Sequence, residues 1–241
     1  MVSICMSYYN RKEQLLKTLE SIKQSAVKDY EIIIVDDCSS EDQRLEDVKG
    51  INLIRVEKED KTWVNPSIPY NMAFKQAQGD LVIIQNPECM HVGDVLSYAV
   101  ENTKKYNYLA FACLSWDKSE FDPNLVPSIQ YASPGQCALG WYHHSLYNSR
   151  PYHFCSAILK TNLDRLKGFD ERLANGLCYD DDDFVRRVQK LGLSIKNINT
   201  PYVVHQWHDS GHIYQSNSHA LFLDNQKLYG EILSGQLESW S

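Results

Sequence analysis

Four carboxylates stand side by side at Asp180-Asp181-Asp182-Asp183, and Phe184, Val188 and Leu191 behind them mark the buried face of a helix. Acidic residues in a first helical turn are favoured by the helix dipole whatever else they do. Spacing separates the four. Asp182 lies four residues before Arg186 and Asp183 four before Arg187, so both are expected to pair along the helix. Asp180 and Asp181 have no such partner and sit one turn before Phe184 and Val185, on the side turned toward the protein body. A carboxylate at a buried edge is costly unless a cation or a hydroxyl meets it. Asp180 and Asp181 are therefore the candidates for acid–base chemistry.

A second group could hold a cation. In Gln85-Asn86-Pro87-Glu88-Cys89, Pro87 disfavours helical geometry at Asn86, so the chain leaves extended and the Asn86 and Glu88 side chains share a face. An amide oxygen and a carboxylate are hard ligands suited to Mg²⁺ or Mn²⁺ that also keeps phosphate oxygens in its shell. His205 and His208, separated by Gln206-Trp207, offer imidazoles. On a straight strand they would point to opposite faces, so joint ligation requires a turn, for which Ser210 and Gly211 are suited. A lone histidine is more often structural; a pair beside Trp207, in a chain already offering oxygen ligands, makes one of them a candidate ligand. Asp36 and Asp37 follow an apolar run and close it with Cys38-Ser39-Ser40, which holds at least one carboxylate at a strand end, although a plain turn uses the same residue types.

Strands and helices alternate to position these groups. Val2 to Met6 reads as a buried strand, and Asn10 is a candidate N-cap for a helix whose Leu15, Leu16, Leu19 and Ile22 repeat at helical spacing. Glu31 to Val35 is an apolar run of strand length. Then come a strand over Ile51 to Val56, a helix around Tyr70 to Gln78, a strand at Leu81 to Ile84, a helix over roughly Val92 to Lys105 and a strand from Tyr108 to Leu114. Such alternation predicts a mainly parallel sheet with helices on both faces, and ligands beyond the carboxyl ends of its strands. Ser115 to Pro151, with Pro123, Pro127, Pro134, Gly135 and Gly140, reads as long irregular connections. Regularity returns with a strand at Phe154 to Leu159, the acidic helix, strands near Leu193 to Ile198 and Tyr202 to Val204, and a final helix carrying Leu221, Phe222, Leu228 and Ile232.

Composition narrows the partners. The 241 residues are 43% hydrophobic and 23% charged, enough for a sizeable core, and the net charge of −7 is the wrong sign for wrapping nucleic acid. No apolar run approaches the roughly 20 residues of a membrane-spanning helix. The first residues read as a strand rather than a secretory leader. Seven scattered cysteines without a Cys-x-x-Cys pair fit reduced thiols, so the cytoplasm is the expected compartment.

The order of these motifs resembles the inverting glycosyltransferases of family 2, which have the GT-A fold. Ser3 to Arg11 looks like that family's first strand and nucleotide-facing turn, and Ile34-Val35-Asp36-Asp37-Cys38-Ser39 is similar to its Val-Asp-Asp-x-Ser segment, whose second Asp faces uracil. Tyr70-Asn71-Met72-Ala73 falls where the family has Arg-Asn-x-Gly, and Asn86-Pro87-Glu88 where it has Asp-x-Asp, with an uncharged Asn86 for the first acid. Gly168-Phe169-Asp170-Glu171 and Tyr179 to Phe184 resemble the Gly-Phe-Asp-Glu and Tyr-Glu-Asp-Asp-Asp-Phe runs of the galactosyltransferase-like branch, and His205-x-x-His208 its late metal-ligand segment.

The resemblance implies one α/β domain of GT-A fold, with a nucleotide-sugar-binding half at 1–114 and an acceptor-binding, catalytic half at 115–241. It implies Ser7, Tyr9, Asn10, Arg11, Asp36, Asp37, Asn71 and Asn86 around the donor, and Glu88 with His205 or His208 on Mn²⁺ or Mg²⁺. Asp181 is implied as the base, with Asp180 orienting the acceptor. The aromatic and hydroxyl-bearing side chains of Trp141, Tyr142, His143, His144, Tyr147, Tyr152 and His153 suit a sugar, and this stretch is assigned with Asp182 to the acceptor, although any one of these rings could equally belong to the core; the acceptor could be a glycan, a protein or a lipid-linked sugar. Two rivals are a catalytically inactive sugar- or partner-binding domain, given Asn86, and more distantly a nucleotidyltransferase, against which the first turn, Ser7-Tyr8-Tyr9-Asn10-Arg11, lacks glycine.

Overall fold

A computed structural model describes residues 1–117, 119–129, 139–209 and 217–240. Along the chain run β1 (Val2–Tyr8), α1 (Lys12–Lys23), β2 (Tyr30–Asp36), β3 (Asn52–Arg55), α2 (Ser67–Gln76), β4 (Leu81–Gln85), β5 (Cys89–Val92) and α3 (Val95–Asn102). They are followed by β6 (Asn107–Ser115), β7 (Gly140–His143), β8 (Cys155–Leu159), α4 (Lys160–Leu166), α5 (Asp180–Lys190), β9 (Ser194–His205) and α6 (Ser218–Ser234).

The strands form one nine-stranded sheet in the order β3-β2-β1-β4-β8-β6-β9-β5, with β7 on β6. From β3 to β4 all neighbours are parallel, as are β6 and β9; β8 joins the two parts by antiparallel pairing to both β4 and β6. Strand alternation sorts the core. Ile4, Met6, Ile32, Ile34 and Ile83 pack with Leu15, Leu19 and Ile22 of α1 and Leu96 of α3. Their sequence neighbours Cys5, Ile33, Val35, Val82 and Ile84 pack on the other face with α2, α4 and α5. Runs apolar at every position are thus strands buried on both faces. No described helix is long and apolar enough to cross a membrane.

Several local expectations are corrected. Asn10 does not cap α1; it takes a left-handed conformation (φ 49°), Arg11 holds the cap position, and Asn10 Oδ1 accepts from Ser40 N at 2.9 Å. The two strands expected between Leu193 and Val204 are one strand, β9, with a register shift against β6. The irregular stretch contains β7 and a 3-10 turn at Pro123–Ser128, while its Pro134, Gly135 and Cys137 lie outside the described residues, as do Ser210 and Gly211. Strand β5 and helix α4 had no sequence signal beyond their neighbours'.

The pairing expected along α5 also differs. Asp183 takes both arginines, Arg186 Nη2 at 2.6 Å and Arg187 Nε at 2.6 Å. Asp183 is fully buried and so holds the inner position, from which Arg187 Nη1 reaches Leu166 O at 2.8 Å and Gly168 O at 2.9 Å. Asp182 accepts instead from Tyr152 OH at 2.9 Å. This network ties α5 to the end of α4. Replacing Asp183 by Ala strands a buried guanidinium and is expected to lower unfolding stability by about 3–5 kcal/mol, read as a shift in urea midpoint; an unchanged midpoint would show that Arg187 is held by the carbonyls alone.

Candidate active site

Strand β4 ends at Gln85, and the next residue extends its ladder: Asn86 N–H donates to Phe154 O at 3.0 Å, while Asn86 Oδ1 accepts from Tyr70 OH at 2.9 Å. The chain then turns through Glu88 into β5, which runs antiparallel to β9 with Cys89 opposite His205. Glu88 is thereby buried against the end of β9. Its Oε1 meets Arg11 Nη1 at 2.8 Å, His205 Nε2 at 3.2 Å and His208 Nε2 at 4.0 Å, while Oε2 has no hydrogen-bond partner. Burial alone would raise the Glu88 pKa, but Arg11, His205 and His208 hold it well below the usual carboxylate range. Because β9 ends at His205, the chain is free to bend, and both rings come to one side with centroids 5.2 Å apart.

Glu88, His205 and His208 offer ligand atoms within 4.8 Å of one another. One carboxylate and two imidazoles fit a borderline divalent ion such as Mn²⁺ better than Mg²⁺, which prefers an all-oxygen shell. The orphaned Oε2 supports the fit, since a buried carboxylate oxygen without a donor is costly. Burial first, then Arg11, lowers the His208 pKa to about 4, so this imidazole is neutral near pH 7 and has a lone pair to give.

Beside this cluster Ser7, Tyr9, Arg11, Asp37, Asn86 and Glu88 line a single cavity of about 450 Å³. Lys61 and Trp63, absent from the expected site, line it as well, together with Tyr70 of α2 and Leu221 of α6 among others. Asp37 accepts from Lys61 Nζ at 2.7 Å and Trp63 Nε1 at 2.9 Å, and Lys61 Nζ lies 4.8 Å from the Tyr9 ring centre. Burial raises the Asp37 pKa against the pull of Lys61. Their position, in the loop after the carboxyl end of β3, was the available signal.

Three residues assigned to the donor stand apart from that cavity. Asp36, the last residue of β2, is fully buried and engaged by Arg55 Nη1 at 2.6 Å and Ser39 N at 2.9 Å. Asn71 bonds Phe169 through both its Nδ2 (to O, 2.9 Å) and its Oδ1 (from N, 2.8 Å), locking α2 to the turn after α4. A Cβ at Gly168 would lie 2.1 Å from Asn71 Oδ1, so this packing needs glycine there. Asn10 braces the Ser39-Ser40 turn.

The acidic helix starts after two left-handed residues, Cys178 and Tyr179, and without a side-chain cap. Asp180 is buried; burial and then the charge of Asp181 push its pKa up to about 7. Asp181 stays partly exposed and its Oδ1 is in ion-pair contact with His153 Nδ1. Asp181, Asp182, Tyr152, Tyr179, Arg186 and Tyr229 line a second cavity, of about 810 Å³. Trp141 and Tyr142 do not face it. Both are buried in β7: Trp141 Nε1 donates to Ile129 O at 3.0 Å, and the Tyr142 ring packs 5.4 Å from Phe154 and 5.2 Å from His205. Apolar clusters under the sheet rim claim these rings, which leaves Tyr142 as the backing of a metal-ligand candidate.

The triplet Tyr152-His153-Phe154 joins the two cavities. Tyr152 holds Asp182, His153 holds Asp181, and Phe154 binds Asn86 through its backbone, while the His153 ring stands edge-on to Tyr70, 5.2 Å away. The candidate cation site at the strand ends and the acids of α5 are thus tied to one another through three consecutive residues. Residues 3–166 match the model of glycosyl transferase family 2, and the chain belongs to that family of glycosyltransferase enzymes, with the GT-A fold. It is 30% identical over 109 residues to the poly(ribitol-phosphate) beta-N-acetylglucosaminyltransferase TarP of Staphylococcus aureus (strain N315), covering 42% of this chain and 33% of TarP. An uncharacterized glycosyltransferase of Haemophilus influenzae is 31% identical over 90 residues, 37% of this chain and 30% of its own. The matched stretches thus span about a third of these relatives. The fold is similar to S. aureus TarS 1-349 in complex with UDP-GlcNAc (TM-score 0.66, 19% identity, 99% of this chain and 68% of that one). It is also similar to the mannosyltransferase PcManGT of Pyrobaculum calidifontis in complex with GDP-Man and Mn²⁺ (TM-score 0.55, 17% identity, 91% and 59%).

Asp180 carries a test of this electrostatic picture. An acid whose folded pKa is raised binds its proton more tightly when folded, so its contribution is fully present below the unfolded pKa of about 3.9 and is lost progressively as pH rises to the folded value of about 7. The wild type is expected to lose urea resistance relative to Asp180→Asn between about pH 4 and 7; parallel curves would mean that Asp180 is ionised at no cost.

Proposed function

We propose that this chain transfers a sugar from a UDP-sugar, with UDP-GlcNAc the first candidate, to an acceptor hydroxyl with inversion at the anomeric carbon. The observation that carries the reading is the clasp Tyr152-His153-Phe154, whose Phe154 holds Asn86 of the donor corner and whose His153 contacts Asp181. UDP-GlcNAc in the TarS complex and the N-acetylglucosaminyltransferase name of TarP support the choice of donor.

In this reading Asp37 accepts from the base, and Tyr9 offers it a ring face. Lys61 must then move from its present place over Tyr9. Arg11, at the floor of the same cavity, meets the diphosphate. Glu88, His205 and His208 would hold Mn²⁺, which supplies positive charge against that developing on the leaving diphosphate. Asp181 takes the acceptor proton, and the protonated Asp180 beside it donates a hydrogen bond to the acceptor. The acceptor lies in the second cavity, where Tyr152, Tyr179 and Tyr229 offer faces and hydroxyls to a sugar or a polyol. The donor half, 1–114, and the acceptor half, 115–241, would meet along the β4–β8 ladder. A cytoplasmic site of action is part of the proposal; the six described cysteines are all free, in accord with a reducing compartment.

Incubation with UDP-GlcNAc and Mn²⁺ is expected to release UDP slowly to water and faster to a true acceptor. Asp181→Asn should cut the release by about 100-fold or more and leave calorimetric donor affinity intact, whereas Glu88→Ala should weaken donor binding only when Mn²⁺ is present. No release across a panel of nucleotide sugars would favour a sugar-binding module; equal donor affinity with and without Glu88 would remove it from the cation site.

A further inference from the structure

Asp180 and Asp181 are adjacent carboxylates at one helix start, and two such groups share protons rather than ionise independently. A base must be the ionised member. We propose that His153, a residue of no recognised motif, is the positioning residue that engages Oδ1 of Asp181 and so aims Oδ2 at the acceptor hydroxyl; the inference rests on the transferase reading above.

The geometry is one-sided. Both contacts from His153 go to Asp181 Oδ1: ring Nδ1 is in ion-pair contact with it, and the backbone N–H donates to it at 3.4 Å. Asp181 Oδ2 takes neither and is left for the cavity that Asp181 lines. The imidazole is buried and boxed by rings, with Tyr70 edge-on at 5.2 Å and Phe169 at 4.7 Å, so it cannot swing to Asp180 without leaving its slot. Tyr152 OH holds the next carboxylate, Asp182, which fixes the main chain on either side of the contact. The ionisable groups facing His153 are Asp181 and Asp180 of α5 and the phenol of Tyr70 of α2; Tyr108 of β6 lies within the field of Asp181. Burial works against an imidazolium here, but Asp181 and then Asp180 outweigh it, and the His153 pKa lies above its ordinary value.

The pair therefore presents an Oδ1 engaged by His153 and an Oδ2 open to a proton. In transfer, the acceptor O–H proton passes to Asp181 Oδ2 as the acceptor oxygen bonds to the anomeric carbon. The bond from that carbon to the diphosphate oxygen breaks, its electron pair leaving on UDP. Asp181 ends the step protonated on Oδ2, with Oδ1 still in contact with His153.

UDP release from UDP-GlcNAc with Mn²⁺ and water as the acceptor, followed against pH, tests this. His153→Phe fills the ring box but removes the donor. Its acid limb of kcat should move up by about one pH unit or more, and kcat near pH 7 should fall more than about tenfold with donor KM within about twofold. His153→Asn restores a neutral N–H and should recover kcat at alkaline pH while keeping the shifted limb. Independently of turnover, ¹⁵N-imidazole NMR should show His153 titrating at lower pH in Asp181→Asn than in the wild type. Acid limbs that superpose on the wild type in both variants, or a His153 titration indifferent to Asp181→Asn, overturn the proposal. If the wild type releases no UDP while the NMR shift appears, the transferase reading falls and the Asp181–His153 coupling stands.

Discussion

The site depends on one extension of a β-ladder. Strand β8 pairs antiparallel with β4, and the hydrogen bond from Asn86 N to Phe154 O carries that pairing one step past the end of β4. Everything chemical hangs from the two ends of this bond. Downstream of Asn86 the chain can only turn, which buries Glu88 against the end of β9. Upstream of Phe154 come His153 and Tyr152, which grip the first turn of α5. A mainly parallel sheet gathers strand ends at one rim. It is the antiparallel insertion of β8 that brings residues from the second half of the chain to that rim.

Electrostatics follow from this placement. A protein of net charge −7 repels an anionic donor at long range, so the cavity itself must supply the attraction. Arg11 and Lys61 do so, each already engaged with a carboxylate, Glu88 and Asp37. Such pairs keep the pocket near neutrality, and in the proposed reading each would release its cation toward a phosphate once the partner carboxylate found another ligand. For Glu88, whose Oε2 has no hydrogen-bond partner, that ligand would be a divalent ion. On the acceptor side the logic is inverted: burial and mutual repulsion raise one carboxylate, Asp180, while an imidazole stabilises the other.

Much of this was legible in the residues. The apolar strand runs, the carboxylate at a strand end and the acid-first helix each have one dominant physical cause, and the structure reproduces the elements within a few residues. The failures have causes as well. Asp36 and Asp37 are indistinguishable in composition, yet strand alternation sends only the second to the cavity. Trp141 and Tyr142 could serve a sugar or a core with equal chemistry, and only the pairing of β7 to β6 assigns them to the core. Asp182 and Asp183 had the same helical claim on an arginine until burial gave both arginines to Asp183. Lys61 and Trp63 were missed, and His153 was read only as part of an acceptor stretch, because loop residues without periodicity acquire roles only from what lies across the gap.

The proposed division of the chain into a donor half and an acceptor half would therefore be one of substrate rather than of structure. The candidate cation site takes Glu88 from the first half and both imidazoles from the second, and the His153 box takes Tyr70 from the first and Phe169 from the second. Neither half can assemble its chemistry alone. A shift of one residue in the β4–β8 register would turn every β8 side chain to the opposite face and pull His153 from Asp181 and Phe154 from Asn86 together. In the proposed reading, donor and acceptor geometry would thus be coupled through backbone hydrogen bonds that do not depend on side-chain identity, so that replacing the side chains around them could change the sugar or the acceptor without separating the base from the leaving group.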